Sequence, residues 1–318
     1  DVYKRQPVLD TSRERALLSK VGQEAGEELA DYVQSMYRTI MAASRSYENG
    51  KLGRGSKVYD GIKKAMEETP QLFPQRPTVA CQGIEGAYSQ IACDRLFKAP
   101  SIMYFQSFDH VFKAVESGMC QYGILPIENS TAGSVNAVYD LMIRHNFSIV
   151  RSARLKVSHN LLAKPSTKLE DIRDVYSHEQ ALHQCAGYLA GLKNVAVHVV
   201  ENTAVAARMV AQSDRSDVAA LSSRFCAEQY DLEIVQDNVQ DQDNNYTRFI
   251  CISKKPEIYP GADRTSLMMT LPHKPGTLYN VLAKFYALNI NLQKLESRPL
   301  PSREFAVSYT HLTLPTIA

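Results

Sequence analysis

Five short stretches of this chain concentrate side chains able to hold a small polar molecule and hand it a proton. Gln82-Gly83-Ile84-Glu85-Gly86-Ala87-Tyr88-Ser89 sets glycines where the backbone turns tightly into a helix, whose free N–H groups attract anions. Leu125-Pro126-Ile127-Glu128-Asn129-Ser130-Thr131-Ala132-Gly133-Ser134 packs a carboxylate, an amide and hydroxyls into one loop, far denser than turn-making requires. Tyr176-Ser177-His178-Glu179-Gln180-Ala181-Leu182, Glu201-Asn202-Thr203-Ala204 and Asn245-Tyr246-Thr247-Arg248-Phe249 complete the set. Each has an ordinary alternative. The first is also a plain tight turn, the third a capping box from Ser177 to Gln180, the fourth an N-cap at Asn202 or Thr203, and the last a strand start. Together they supply hydroxyls, amides and few charges. His178 and His183 stand five apart, poor spacing for one helical face, and the six cysteines show no CxxC pair, so no metal site is indicated. No GxSxG elbow, Walker loop or full GxGxxG fingerprint occurs. A cofactor-free lyase or isomerase, or a binding module, fits this inventory better than a hydrolase or dehydrogenase.

The elements that must position these groups follow from periodicity. Residues 11–50 read as helix, with Leu29, Val33, Met36, Tyr37 and Ile40 at three- and four-residue spacing and Glu14 three after Thr11 as a capping box. A flexible loop Lys51–Ser56 and a short helix Gly61–Glu68 follow, and Pro70, Pro74 and Pro77 make a stiff linker. From Thr78 short β-rich runs alternate with helices, a βαβα rhythm that predicts a mainly parallel sheet, repeated after Ser148–Ala163. Two such lobes place all five polar stretches near a shared cleft. Thr265–Leu271, Thr277–Leu288 and Ile290–Arg298 read as strand, helix and strand, the opening of a ferredoxin-like unit. The 318 residues carry 36 basic and 34 acidic side chains, which argues against a dedicated nucleic-acid binder, and no apolar run approaches a membrane span.

Read in order, the polar stretches resemble the prephenate dehydratase family across about 175 residues. The resemblance rests on Gln82-Gly83 through Ser89, Ser107-Phe108 through Phe112, Pro126-Ile127-Glu128-Asn129-Ser130 with Gly133-Ser134-Val135, His159-Asn160-Leu161, Tyr176-Ser177-His178 with Gln180-Ala181-Leu182-Gln184-Cys185, Asn202-Thr203-Ala204, and Asn245 through Thr247-Arg248-Phe249. The third segment resembles the ACT regulatory domain, through Gly276-Thr277-Leu278-Tyr279 and Glu296-Ser297-Arg298-Pro299. The first segment is similar to an all-helical chorismate mutase, with Asp10, Arg13, Glu14, Ser44 and Glu48 at its active-site positions, although that family's long first helix has no counterpart.

The resemblance implies a multidomain protein: a partial all-α chorismate mutase (7–68), a linker (69–77), a two-lobed α/β periplasmic-binding-protein-like dehydratase domain (78–254), and an incomplete α+β ferredoxin-like ACT domain (264–305). Asp1–Gln6 and residues 306–318 match none of these, fit no expected strand or helix, and read as non-native sequence at the two ends. The implied chemistry is decarboxylative dehydration of prephenate to phenylpyruvate, driven by aromatisation and needing no cofactor. Its implied dehydratase site comprises Thr247, Arg248, Phe249, Glu128, Asn129, Ser130, Ser89, Asn160, Ser177, His178, Gln180, Asn202 and Thr203. Thr247 is expected to protonate the leaving hydroxyl, backed by Glu128 or His178, with Arg248 or helix N-termini on the pyruvyl carboxylate and Phe249 walling the ring. Further expectations are chorismate as the mutase substrate, L-phenylalanine as allosteric ligand, a homodimer or homotetramer, and a cytoplasmic location without nucleic acid or membrane. A non-catalytic phenylalanine-binding regulator is the competing class.

Overall fold

A computed structural model describes residues 9–51, 56–299 and 307–315. Residues 1–8, 52–55, 300–306 and 316–318, to which some of the expectations above refer, lie outside them. The chain divides into two units, Asp1–Lys64 with Asp263–Ala318, and Ala65–Ala262.

In the first unit, helices α1 (Thr11–Ala25) and α2 (Ala30–Lys51) pack as a hairpin, and α3 (Lys57–Glu68) follows. The N-cap of α1 is Asp10, not Thr11: its carboxylate accepts the backbone N–H of Ser12 and Arg13 at 3.1 and 3.0 Å. Glu14 is thereby released from the expected capping box and pairs with Arg45 of α2. Gly22 sits against the end of the Gln34 side chain of α2, whose Nε2 would lie 2.4 Å from a Cβ there. The same unit holds a three-stranded antiparallel sheet of β12 (Arg264–Thr270), β13 (Lys294–Pro299) and β14 (Val307–Pro315), in the order β12-β14-β13, with α11 (Thr277–Ala287) between the first two. The expectation that residues 306–318 fit no strand is therefore corrected. Val307–Pro315 alternates polar and apolar residues and takes the central place between the two strands the sequence identified.

The second unit has two sheets. The first contains β1 (Thr78–Gln82), β2 (Ser101–Phe105), β3 (Tyr122–Asn129), β4 (Gly133–Ser134), β5 (Ser148–Lys156) and β11 (Tyr246–Ser253), in the order β2-β1-β3-β11-β5 with β4 on β3. Helices α4 (Tyr88–Leu96), α5 (Phe108–Glu116) and α6 (Asn136–Arg144) cover it. The second contains β6 (Asn160–Ala163), β7 (Asp174–Ser177), β8 (Ala196–Val199), β9 (Val218–Ser222) and β10 (Glu233–Gln236), in the order β10-β6-β9-β7-β8. Its helices are α7 (Glu179–Gln184), α8 (Ala186–Ala190), α9 (Thr203–Gln212) and α10 (Arg224–Gln229). Residues 179–190 form two helices rather than one, with the break at Cys185, whose φ of −117° and ψ of 19° leave the helical basin.

Neither sheet is mainly parallel. β1–β2, β1–β3, β7–β8 and β7–β9 run parallel, whereas β11 is antiparallel to both β3 and β5, and β6 to both β9 and β10. The cause is connectivity. The chain leaves the first sheet after β5, builds the second, and returns as β11, which wedges between β3 and β5 against the direction of both. Alternation along the strands sends Ala80, Leu125 and Ile250 into one apolar cluster and Val79, Cys81, Ile124 and Phe249 into another, one on each face of the first sheet. The second sheet is sandwiched likewise, with Leu162 and Ala220 on one face and Leu161, Ala219 and Leu221 on the other.

Candidate active site

The return of β11 brings Thr247 opposite Asn129 of β3 and Arg248 opposite Glu128. The Asn129 side chain closes the loop that follows its own strand: Oδ1 accepts from the backbone N–H of Thr131 (3.0 Å) and Ala132 (2.9 Å) and from the Thr131 hydroxyl (2.7 Å). Because backbone donors cannot reverse, that atom is the oxygen, and the amide nitrogen faces the other way. It donates to Thr247 Oγ1 at 2.9 Å and to Asn245 Oδ1 at 2.7 Å. Thr247 is thus an acceptor towards Asn129, and its own hydroxyl hydrogen remains available to a third party. Thr247 keeps only 9% of its surface, so this hydrogen bond is sheltered from water.

Above this pair lies an open cavity of about 620 Å³, bordered by Thr131, His178, Gln180, Gln184, Asp241 and Asn245 among others. Asn245 and Thr131 form its floor; Asn129 sits one hydrogen bond beneath it, and Thr247, bonded to Asn129, sits two. Gln184, from α7, ties the two lobes together: Nε2 donates to Thr131 (3.1 Å), and Oε1 accepts from Asn245 Nδ2 (2.9 Å). His178 caps α7 by accepting the Gln180 N–H on Nδ1 at 3.2 Å. That role leaves the proton of a neutral ring on Nε2, a hydrogen-bond donor at the cavity wall.

The structure separates the expected residues into two groups. Asn129 and Thr247, beneath the floor, and His178 and Gln180, at the wall, come together. Ser130 clasps the loop to β11, donating to the Asn244 carbonyl (2.7 Å) and accepting the Tyr246 N–H (2.8 Å). The others do framework work. Ser177 is fully buried and donates to the Leu221 carbonyl at 2.7 Å, which replaces the expected capping box. Asn160 holds Ser222 and Asn238, Asn202 caps α9 through Val205, and the Thr203 carbonyl accepts from Ser222. Ser89 donates to the Gln82 carbonyl. The glycine loop before it is a lobe-to-lobe contact: Ile84 and Ala87 pack against the second sheet's core, and the Gly86 carbonyl accepts from Cys226.

Three expectations are corrected. Arg248 and Glu128 form an ion pair at 3.0 Å, and alternation along β11 sends Arg248 to the face opposite Thr247. Neither residue is therefore placed to orient a carboxylate or to feed Thr247 a proton. Phe249 is 3% exposed and packs in the core with Leu155 and Tyr122, so it supports β11 from below rather than walling a ligand. Sequence reasoning quoted Thr131, Gln184 and Asn245 inside its motifs but gave them no role. Their signal was that uncharged hydrogen-bonding side chains recur at each of those strand and helix ends. No cysteine or serine borders the cavity among the described residues, and burial pushes the nearby Cys185 thiol up to about 12, with Asp241 adding to the effect. Among the described residues no cluster of side chains suits a metal ion, and no helix is long and apolar enough to cross a membrane.

The Asp10 and Glu14 carboxylates are engaged in capping and in the Arg45 pair, and the Ser44 hydroxyl donates to Glu48 at 3.1 Å, one turn along α2. Gly276, with φ of 79°, opens α11, on which Thr277, Leu278 and Tyr279 lie; Glu296, Ser297, Arg298 and Pro299 lie on β13.

Comparison with known proteins agrees with this geometry. The prephenate dehydratase family model matches residues 79–257. An Arabidopsis thaliana protein named arogenate dehydratase/prephenate dehydratase 2, chloroplastic, is 39% identical over 281 residues, 82% of this chain and 72% of that one. The bifunctional chorismate mutase/prephenate dehydratase of Neisseria gonorrhoeae is 37% identical over 73% of this chain and 65% of that protein. Among solved structures, one described as a novel type of quorum quenching acylase, GqqA, has a TM-score of 0.68 at 31% identity, covering 75% of this chain and 87% of that one. The prephenate dehydratase of Arthrobacter aurescens in complex with L-Phe gives 0.67 at 26%, covering 75% and 80%. The chain spans from 53% to 72% of the length of the plant relatives it matches. With more than half of its residues matched by the family model, and with Asn129, Gln184 and Thr247 joined in one cleft, the chain belongs to the prephenate dehydratase family.

Proposed function

We propose that this chain is a prephenate dehydratase of phenylalanine biosynthesis. Prephenate with one proton becomes phenylpyruvate, carbon dioxide and water: the ring hydroxyl leaves as water, the ring–carboxylate bond breaks, and its electron pair becomes part of the new aromatic ring. The observation that carries the reading is the Asn129–Thr247 hydrogen bond, which fixes the Thr247 oxygen while leaving its hydrogen to assist the departing hydroxyl. His178 and Gln180, at the wall, supply neutral donors for the substrate carboxylates. The test is phenylpyruvate formation from prephenate by the purified protein; a folded sample that leaves prephenate unchanged ends the reading.

Glu179 and Asp241 border the same cavity and favour a second reading, in which arogenate is the substrate. Arogenate carries an ammonium where prephenate has a keto oxygen, and a carboxylate attracts the former only. Phenylalanine formation from arogenate measures it directly. An acylase reading has no support in a cavity without serine or cysteine.

The same proposal extends to the flanking segments. Residues 7–68 belong to a chorismate mutase module, supported by the helical hairpin and by the bifunctional name of the Neisseria relative. Residues 264–305, with β14, belong to an ACT module that binds L-phenylalanine as an allosteric inhibitor, supported by the strand order β12-β14-β13 and the glycine-led start of α11. We expect a homodimer or homotetramer. Six unpaired, buried cysteines suit a reducing compartment, which supports a cytoplasmic location.

A further inference from the structure

We propose that His159 is a positioning residue for the dehydration: its ring, donating from Nε2, anchors the near end of the hydrogen-bond chain that runs through Gln184, Asn245 and Asn129 to Thr247. The inference rests on the dehydratase reading for its kinetic consequence, but its structural core is independent of it.

His159 is 2% exposed, just before β6. Its backbone is clamped on both sides, N–H to Gln240 Oε1 at 2.9 Å and carbonyl to the Val239 N–H at 2.9 Å. Its ring Nε2 lies 2.8 Å from Gln184 Oε1, and its Nδ1 has no partner among the described residues. The direction of each bond in the chain follows from its far end. Backbone donors identify Asn129 Oδ1, so Asn129 Nδ2 faces Thr247 and Asn245 Oδ1. Asn245 must then offer its own nitrogen to Gln184 Oε1, and Gln184 its nitrogen to Thr131. Gln184 Oε1 is therefore an oxygen facing His159, and only a ring protonated on Nε2 satisfies it.

The reverse argument gives His159 its leverage. With the proton on Nδ1, two lone pairs would face each other across 2.8 Å, and an unpaired N–H would be buried besides. Turning Gln184 to relieve this sets its amide nitrogen against that of Asn245, and turning Asn245 sets its nitrogen against Asn129. The conflict ends at the group that holds Thr247. Burial lowers the His159 pKa and so favours the neutral ring. An imidazole that leaves Nδ1 bare in the interior is a costly way to fill space, and its one bond is spent on this chain.

The experiment has two arms. In wild-type protein selectively ¹⁵N-labelled at histidine, the His159 ring is expected to show a protonated Nε2 coupled to a bare Nδ1; a protonated Nδ1 overturns the inference whatever the activity. In the kinetic arm, His159→Leu is expected to lower kcat for prephenate by about 10–100-fold, the scale of a small misplacement of a reacting group, with KM within about threefold. His159→Gln, which restores a donor, should recover most of it. In a Thr247→Ala background His159→Leu should cost nothing further, because it acts only through Thr247. A full second loss there, or a loss confined to KM, refutes the positioning role. If wild type turns over neither prephenate nor arogenate, the dehydratase reading fails and the ¹⁵N spectrum still decides the direction of the chain.

Discussion

Replacing Thr247 by valine deletes one hydroxyl and keeps the side-chain shape. In the folded protein that hydroxyl accepts from Asn129 Nδ2 at 2.9 Å, so the change removes one buried acceptor. Asn129 keeps its other partner, Asn245 at 2.7 Å, and its loop bonds to Thr131 and Ala132 are untouched. The stability cost is therefore about 1 kcal/mol, the low end for a lost buried hydrogen bond. For a unit of this size that is a fall in Tm of about 2–4 °C. The catalytic cost is larger, because the proton donor itself is removed: kcat for prephenate should fall about 10²–10⁴-fold. Thr247→Ser keeps the hydroxyl and should retain activity within about tenfold, the remainder reflecting a freer rotamer once the γ-methyl is gone. Phenylpyruvate absorbance in alkali reads the rate, and differential scanning calorimetry the stability. A valine variant with wild-type turnover removes Thr247 from the mechanism. One that loses turnover only in proportion to unfolded protein reduces the residue to a structural part.

Three further outcomes follow from particular contacts. Arg248→Met breaks a half-exposed pair with Glu128 on the face away from Thr247, so kcat should change by less than about threefold and stability by about 1 kcal/mol or less; a hundredfold loss of kcat would show that Arg248 reaches the substrate. Gly86→Ala forces a Cβ into a residue at φ of 91°, 3.0 Å from Cys226 Sγ and 3.4 Å from the Tyr230 ring, and should destabilise by about 1–3 kcal/mol in urea titration, with KM rising as the lobes loosen; an unchanged midpoint refutes the fit described for that loop. Burial holds His159 below its ordinary pKa of 6.5, so the unfolded chain binds the extra proton first. The stability this contributes is complete above about 6.5 and is lost as the pH falls below it. Urea unfolding between pH 5 and 7.5 should show that decline in wild type and a smaller one in His159→Gln, and equal slopes would contradict it.

Much of the fold was legible because its causes are local. Apolar spacing marked residues 11–50 and 277–288 as helical but missed the break at Gly26 that separates α1 from α2, β-rich runs marked most strands of the second unit, and polar clusters at their ends marked the cleft. Local signals also misled. Thr11 and Ser177 each head a sequence that reads as a capping box, yet Asp10 and His178 cap those helices, because Ser177 already donates to the Leu221 carbonyl on a neighbouring strand. Residues 307–315 were not read as strand because they match no family motif, yet they pair antiparallel with β13, as near as Pro299 with Val307, and with β12.

What the sequence determined by itself was which residues could do chemistry, and that they belong to one family of dehydratases, since motif chemistry and order along the chain are intrinsic to it. Tertiary structure alone decided which of them meet. Thr247 and Asn129 are 118 positions apart and become neighbours only because β11 returns to the first sheet at that register. The same register turns Arg248 away, and a contact between lobes sets Gln184 on Asn245. Side-chain direction in a strand alternates with every residue, so pairing across the sheet, which no local pattern encodes, settles which of two adjacent residues faces the cleft.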